Sequence, residues 1–292
     1  MYSEIAKNKR KTVILILAFV ALIGVLAYFG GLYYGDFTIT IGALIGSLIY
    51  ALFSYFAATK AALAFNGARE IQKSDNPRLY RIVENLSITE GLPTPKVHII
   101  DDNALNAFAT GRDPKHAHVA ITTGLLAALD DNELEGVMAH ELGHIKNYDI
   151  RVSMIAFGLV MVISILSDIF LRISFFGGRD DEEGGSPLLM VLGVVAVVLA
   201  PLIAALIQAS ISRKREYLAD ATGAMTTRYP EGLASALEKL RAGNTATKRQ
   251  NTSTAHLFFA NPLKGKSLSS LFSTHPPIDE RIKVLRGMDS HV

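Results

Sequence analysis

His140-Glu141-Leu142-Gly143-His144 carries two histidines four residues apart. On a helix that spacing sets both imidazoles on one face, one turn from each other. Two imidazoles so placed can grip one Zn²⁺, and Glu141 beside them can take a proton from water activated by the metal. The plain alternative is a polar helix face with two solvated histidines. From Glu135 to Tyr148, however, Val137, Met138, Leu142 and Ile145 supply the apolar backing of a packed helix. Gly143 is expected to keep the wall facing the metal low.

A second pair with the same spacing lies downstream, in Arg215-Glu216-Tyr217-Leu218-Ala219-Asp220. Glu216 and Asp220 share a helix face. One carboxylate can complete a site of two histidines and a carboxylate, and the other can orient a ligating imidazole. The alternative for Glu216 is an ion pair with Arg213 or Lys214. There is no cysteine, which excludes disulfides, thiolate ligands and a cysteine nucleophile, so any metal is held by histidines and carboxylates.

The two pairs are separated by apolar sequence. Half of the 292 residues (50%) are hydrophobic, 19% are charged, and the mean hydropathy is +0.29, too apolar for an ordinary soluble domain. Thr12–Gly35 and Phe37–Thr59 carry no charge, and each is long enough to cross a bilayer as a helix. Residues 152–171 are apolar apart from Asp168, and residues 184–212 are uncharged, with Pro201 placed to kink the helix. The first stretch reads as a retained anchor, because it lacks a clear cleavage site and another span follows at once. Lys7, Lys9, Arg10 and Lys11 precede it, the 30–38 turn has no basic residue, and the 174–186 loop sets Arg179 beside Asp180, Asp181, Glu182 and Glu183. Basic residues favour the cytoplasmic side, so the N-terminus, residues 65–151 and residues 213–292 are expected there together. That parity holds whether or not residues 152–212 fully span. Asp168 and Arg172, at i and i+4, read as a local ion pair near the membrane surface.

The polar segments are patterned. A helix is expected over 77–91 after the start signal Asp75-Asn76-Pro77, and strands over Lys96–Asp101, Asn106–Gly111 and His118–Thr123. Helices follow from Leu125 and, near Asp130-Asp131-Asn132-Glu133, from the start of the histidine-bearing helix, which is expected to run on toward the membrane. Residues 231–242 are helical again, and 243–254, poor in apolar residues, are expected to be mobile.

His140–His144, Arg215–Asp220, Asn106–Gly111 (NAFATG) and Thr274–Ile282 (THPPIDERI) together resemble the HtpX-type membrane zinc proteases, relatives of the CAAX prenyl proteases. The resemblance covers essentially the whole chain. It implies a mainly α, α+β fold: four hydrophobic helices and a cytoplasmic gluzincin-like metalloprotease domain with a small β-sheet. The expected segments are a transmembrane hairpin (1–64), the first part of the protease domain (65–151), a second membrane or membrane-associated hairpin (152–212) and the rest of the protease domain (213–292). It further implies one Zn²⁺ per chain on His140, His144 and Glu216, Glu141 as general base, and Asp220 holding His140. Asn106 and His275 match positions near substrate and transition state, and Asn106, Ala107, Phe108 and Ala109 form an edge for an extended substrate; on the residues alone, NAFATG is equally a strand ending in a turn. The implied role is clearance of misfolded or damaged membrane proteins, or unfolded polypeptides, in the bacterial or archaeal cytoplasmic membrane, with the bilayer as partner.

Glu280 and Arg281 read as an ordinary surface pair, and His98, His116, His118, His256 and His291 have no partners at ligand spacing. The net charge of +2 gives no reason to expect nucleic acid. The competing activity is a CAAX-type prenyl-protein endopeptidase. A non-enzymatic adaptor would be expected to lack Glu141 or a ligand, and a transporter would not need such long patterned polar segments.

Overall fold

The structure is a computed structural model, and it describes residues 2–161, 213–243, 245–249, 254–260, 262 and 276–289. His275, Asp168, Arg172, the 174–186 loop and residues 184–212 lie outside the described residues, as does His291.

Two long helices open the chain, α1 (Tyr2–Tyr34) and α2 (Thr38–Phe65), packed against each other as a hairpin. Gly35, at φ +66°, supplies the left-handed step of the turn, and Asp36 accepts from Thr38 N and Oγ1 at 2.8 and 2.7 Å. Both helices leave large apolar side chains uncovered, among them Val13, Leu17, Leu48, Leu52 and Phe53. Among the described residues, one helix, at Thr40–Phe65, is long and apolar enough to cross a membrane.

Strand β1 (Ala68–Glu70) follows α2, and α3 (Pro77–Glu90) starts where Asn76 accepts from Leu79 N at 3.0 Å and ends at Gly91. The remaining strands are β2 (Lys96–Ile100), β3 (Ala107–Gly111) and β4 (Ala117–Thr122), giving the order β1-β2-β4-β3. β2 and β4 pair parallel, and the two outer strands pair antiparallel, which leaves β3 at an edge. β1 was not legible in the sequence: a three-residue strand shows no alternation, and its pairing with β2 defines it.

Thr122 caps α4 (Thr123–Ala128), and Asp130 with Glu133 forms a reciprocal capping box on α5 (Asp131–Lys146). α5 is the central helix. Leu134, Val137, Met138, Leu142 and Ile145 are all fully buried, each contributing roughly 1.5–3 kcal/mol by leaving water. They meet α3, the sheet, α7 (Arg213–Thr227) and α8 (Pro230–Ala242), and α9 (Ile278–Asp289) closes over α7 and α8.

Two expectations are corrected here. The histidine-bearing helix does not run on: Tyr148 takes a left-handed backbone, φ 61°, and a new helix, α6, begins at 149 and is described to 161. Its Ile155, Ala156 and Leu159 pack on Phe19 of α1, and Met154 and Phe157 on Ala58 and Ala62 of α2. Residues 245–249, inside the stretch expected to be mobile, are pinned: Lys248 N donates to Asp102 Oδ2 at 2.6 Å, Thr247 N to Pro262 O at 3.1 Å, and Thr247 is buried. Backbone and long side chains provide these anchors, which composition alone does not reveal.

Candidate metal centre

α5 and α7 lie side by side with their backbones close. A Cβ on Gly223 of α7 would stand 3.1 Å from His140 N, and one on Gly143 would meet Ala219 Cα at 3.4 Å. Gly143 therefore faces the partner helix rather than the metal side, contrary to expectation, with ordinary room for a Cβ, whereas Gly223 lets the two helices approach so that side chains from each converge.

His140, His144 and Glu216 converge. The two Nε2 atoms are 3.1 Å apart, and Glu216 Oε1 is 3.6 Å from His144 Nε2 while Oε2 is 3.7 Å from His140 Nε2. A tetrahedral zinc site with ligands at ~2.0–2.1 Å holds them roughly 3.3 Å from one another, so the donor set is ready for the ion with little movement. Glu141, buried at 2% exposure, lines the same cleft.

Each imidazole is fixed from behind. His140 Nδ1 lies 2.9 Å from Asp220 Oδ1, and His144 Nδ1 lies 3.0 Å from Asp149 Oδ2. An Nδ1–H donated to a carboxylate leaves the Nε2 lone pair pointing at the centre. Asp220 is itself clasped by Arg281, whose Nε and Nη2 donate to its two oxygens at 2.9 and 2.7 Å. Arg281 is 1% exposed, and its guanidinium lies over the Phe259 ring. The surface pair expected for Glu280 and Arg281 is thus wrong for Arg281: α9 tucks it under the site, while Glu280 accepts from Tyr217 Oη at 3.0 Å.

The electrostatics follow from burial and these partners. Burial drives the His140 pKa down to about 4, against the hydrogen bond and charge of Asp220. Burial opposes charge on His144 too, but the Asp149 hydrogen bond and the charges of Glu216, Asp149 and Glu141 outweigh it and push the ring up to about 9. Asp220 is held down at about 2: burial raises it, and the Arg281 charge with the His140 and Arg281 hydrogen bonds more than reverses that. Glu141, Asp149, Glu216 and Asp220 set four buried carboxylates against the guanidinium groups of Arg215 and Arg281. A divalent cation between the imidazoles would take the place of the proton that the Asp149, Glu216 and Glu141 carboxylates favour on His144.

Asn106, expected near substrate and transition state, has its side chain bonded to main chain here. Its Nδ2 donates to Ala260 O at 2.7 Å and Thr245 O at 3.2 Å, and its Oδ1 accepts from Ala260 N and Ala107 N at 3.0 and 3.1 Å. Both amide hydrogens are engaged by main chain, so none is aimed at a developing oxyanion. Ala107, Phe108 and Ala109 do lie on the edge strand, and there Ala107 O accepts from Phe259 N at 2.8 Å. Phe259 thus takes one main-chain acceptor of that edge, at its Ala107 end. Of the histidines given no role, His256 lines the cleft and bonds Ser153 O through Nε2 at 3.2 Å.

Asp149, Arg215 and Arg281 were missed by sequence reasoning. Asp149 lies five residues past His144 across a helix break, and Arg281 meets Asp220 from 61 residues away, so neither follows from helical spacing. The only signal for Asp149 was its proximity in sequence to the motif.

A protease HtpX homolog of Tropheryma whipplei (strain Twist) is 51% identical over 288 residues, covering 99% of this chain and 98% of that protein. Those of Dictyoglomus thermophilum and Streptococcus gordonii are 46% and 41% identical, over 98% and 99% of this chain and 94% and 100% of theirs. The crystal structure of S. mikatae Ste24p shares the fold at TM-score 0.51 and 23% identity, covering 98% of this chain and 66% of that one. Residues 73–289 match Peptidase family M48, and with relatives this close over the full length, the chain belongs to that family.

Proposed function

We propose that this chain is a membrane-anchored zinc endopeptidase that hydrolyses peptide bonds through a water molecule activated at His140, His144 and Glu216. The observation that carries this reading is the convergence of those three donors, each imidazole backed by a carboxylate. Bound there, Zn²⁺ supplies Lewis acidity, bringing the pKa of water toward ~7 and polarising the scissile carbonyl. Glu141 accepts the water's proton and delivers it to the leaving amine. His140 and His144 stay in the Nδ1–H tautomer through Asp220 and Asp149, and Arg281 keeps Asp220 ionised. No covalent intermediate is required.

The apolar faces of α1 and α2 and the span within α2 support a bilayer partner, with residues 1–64 and 152–212 as its anchoring segments. The basic residues before the first span support a cytoplasmic placement of residues 65–151 and 213–292. The substrates are misfolded or damaged membrane proteins: Ala109 of the edge strand lines the cleft beyond the Ala107 carbonyl that Phe259 holds, and main-chain recognition there suits broad specificity. His275 stays a candidate for transition-state contact by the same resemblance.

The test is degradation of casein and of a destabilised membrane protein by detergent-purified protein, with and without Zn²⁺, beside Glu141→Gln. Glu141→Gln should bind one Zn²⁺ and lose proteolysis. Full activity in that variant refutes the mechanism, and cleavage confined to a prenylated peptide would favour the CAAX-type activity.

A further inference from the structure

Asp149 is reached through a costly turn. Tyr148 holds a left-handed backbone without being glycine, and both polar atoms of the Asn147 side chain, which is 1% exposed, lack a hydrogen-bond partner among the described residues. Strained or unsatisfied groups persist where the surrounding structure enforces them. What the turn delivers is one carboxylate, 3% exposed, with its two oxygens pointing to different places. Oδ2 faces His144 Nδ1 at 3.0 Å. Oδ1 accepts from Asn8 Nδ2 of α1 at 2.8 Å and from Arg215 Nη1 of α7 at 3.2 Å.

The α1 contact is the unexpected one. Asn8 is 2% exposed and also donates to Asn147 O at 2.9 Å, so its amide clamps both the carbonyl and the carboxylate of the turn. Lys9, the next residue, lies over the Tyr148 ring at 4.7 Å from the centroid. Residues 139 and 141 positions apart in sequence therefore meet at the back of a metal-facing imidazole.

We propose that Asp149 is a positioning residue that fixes the tautomer and ring orientation of His144, and that Asn8 holds it there, making the N-terminal helix a working part of the metal centre. The inference rests on the reading of His140, His144 and Glu216 as ligands and adds to it a specific dependence on α1. A carboxylate behind a ligating histidine raises its basicity and fixes its direction, and loss of such a partner typically costs roughly 10–100-fold in metal affinity. Asn8 acts one bond further out, through a hydrogen bond that orients rather than charges, so its loss should cost roughly threefold to tenfold.

The experiment uses the full-length chain in detergent, with Asp149→Asn, Asp149→Ala, Asn8→Ala and, as reference, His144→Ala. Zn²⁺ affinity is read by competition with a chromophoric chelator, ligand geometry by the visible absorption of Co²⁺-loaded protein, and folding by circular dichroism. Asp149→Ala should lose roughly 10–100-fold in Zn²⁺ affinity, with Asp149→Asn in between, because its remaining carbonyl oxygen still accepts from His144. Asn8→Ala should weaken Zn²⁺ and alter the Co²⁺ band while retaining native circular dichroism. A turn that merely supports the fold would move the melting temperature and leave the Co²⁺ band of folded protein unchanged. The proposal is overturned if Asp149→Asn and Asn8→Ala bind Zn²⁺ within twofold of wild type with an unaltered Co²⁺ band, while His144→Ala loses the metal. If His144→Ala also keeps full affinity, the ligand assignment itself fails, and the two failures are thus told apart. Should Asp149→Ala not fold, Asn8→Ala and Asp149→Asn decide alone.

Discussion

Replacing Arg281 by alanine should strip the Asp220 carboxylate of its only bidentate partner among the described residues. Both groups are 1% exposed, and the two guanidinium hydrogen bonds are 2.9 and 2.7 Å long. Removing one member of a buried pair leaves an uncompensated charge, and the cost is about 3–5 kcal/mol. Loss of the guanidinium over Phe259 adds to it. For chains of this general size each kcal/mol lowers the melting temperature by about 2–4 °C, so a fall of roughly 6–20 °C is expected. The chain has no tryptophan, so far-ultraviolet circular dichroism in detergent is the natural probe, applied to chelator-treated protein to keep metal binding out of the comparison. A double variant, Arg281→Met with Asp220→Asn, should recover part of the loss, since no buried charge is then stranded. A change below about 1 kcal/mol for Arg281→Ala, the range of exposed pairs, would refute the reasoning and return Arg281 to the surface.

Gly223→Ala should push α7 away from α5, because the new Cβ meets main chain at His140 N, 3.1 Å away, and cannot swing clear; Zn²⁺ affinity should fall on the order of tenfold, and an unchanged affinity would contradict the close-packing account. Asn106→Ala leaves Ala260 N and O without their side-chain partner, costing roughly 1–3 kcal/mol per buried group, whereas turnover per folded, zinc-loaded molecule should hold; a selective loss of kcat would reinstate Asn106 in the chemistry. His118 is pushed from 6.5 down to about 4, by burial first and then by the neighbouring His98, so the fold favours the neutral ring. That stability should be fully present above about pH 6.5 and decline as pH falls toward 4; His118→Gln should flatten this part of the urea-stability profile, and an identical slope would exclude the ring as its source.

How far the sequence speaks depends on the range of the interaction. The Asn76 and Asp130 caps act within three residues, so α3 and α5 could be read from start signals alone. His140, His144, Glu216 and Asp220 were legible because helical spacing turns a linear pattern into a face. Asp149 was not, since the break at Tyr148 resets the period. Arg281 looked like solvent-facing charge because its counter-ion lies on another helix, and only the docking of α9 joins them. The bonding of Asn106 could not be read either: its motif was noticed, but the partners of its amide are main chain at residues 245 and 260, which a strand pattern does not reveal.

The reach of Arg281 back to Asp220 also has a meaning in time. A chain leaves the ribosome from its N-terminus, so His140, His144 and Glu216 emerge well before α9, and Arg281 follows Asp220 by 61 residues. Until α9 docks, Asp220 must shed its charge or draw water into the gap between helices, and His140 lacks a steady backing. Completion of the backing behind His140 thereby waits on the docking of α9. In a protease, a guanidinium that arrives 61 residues after its carboxylate ties completion of the site to completion of the fold.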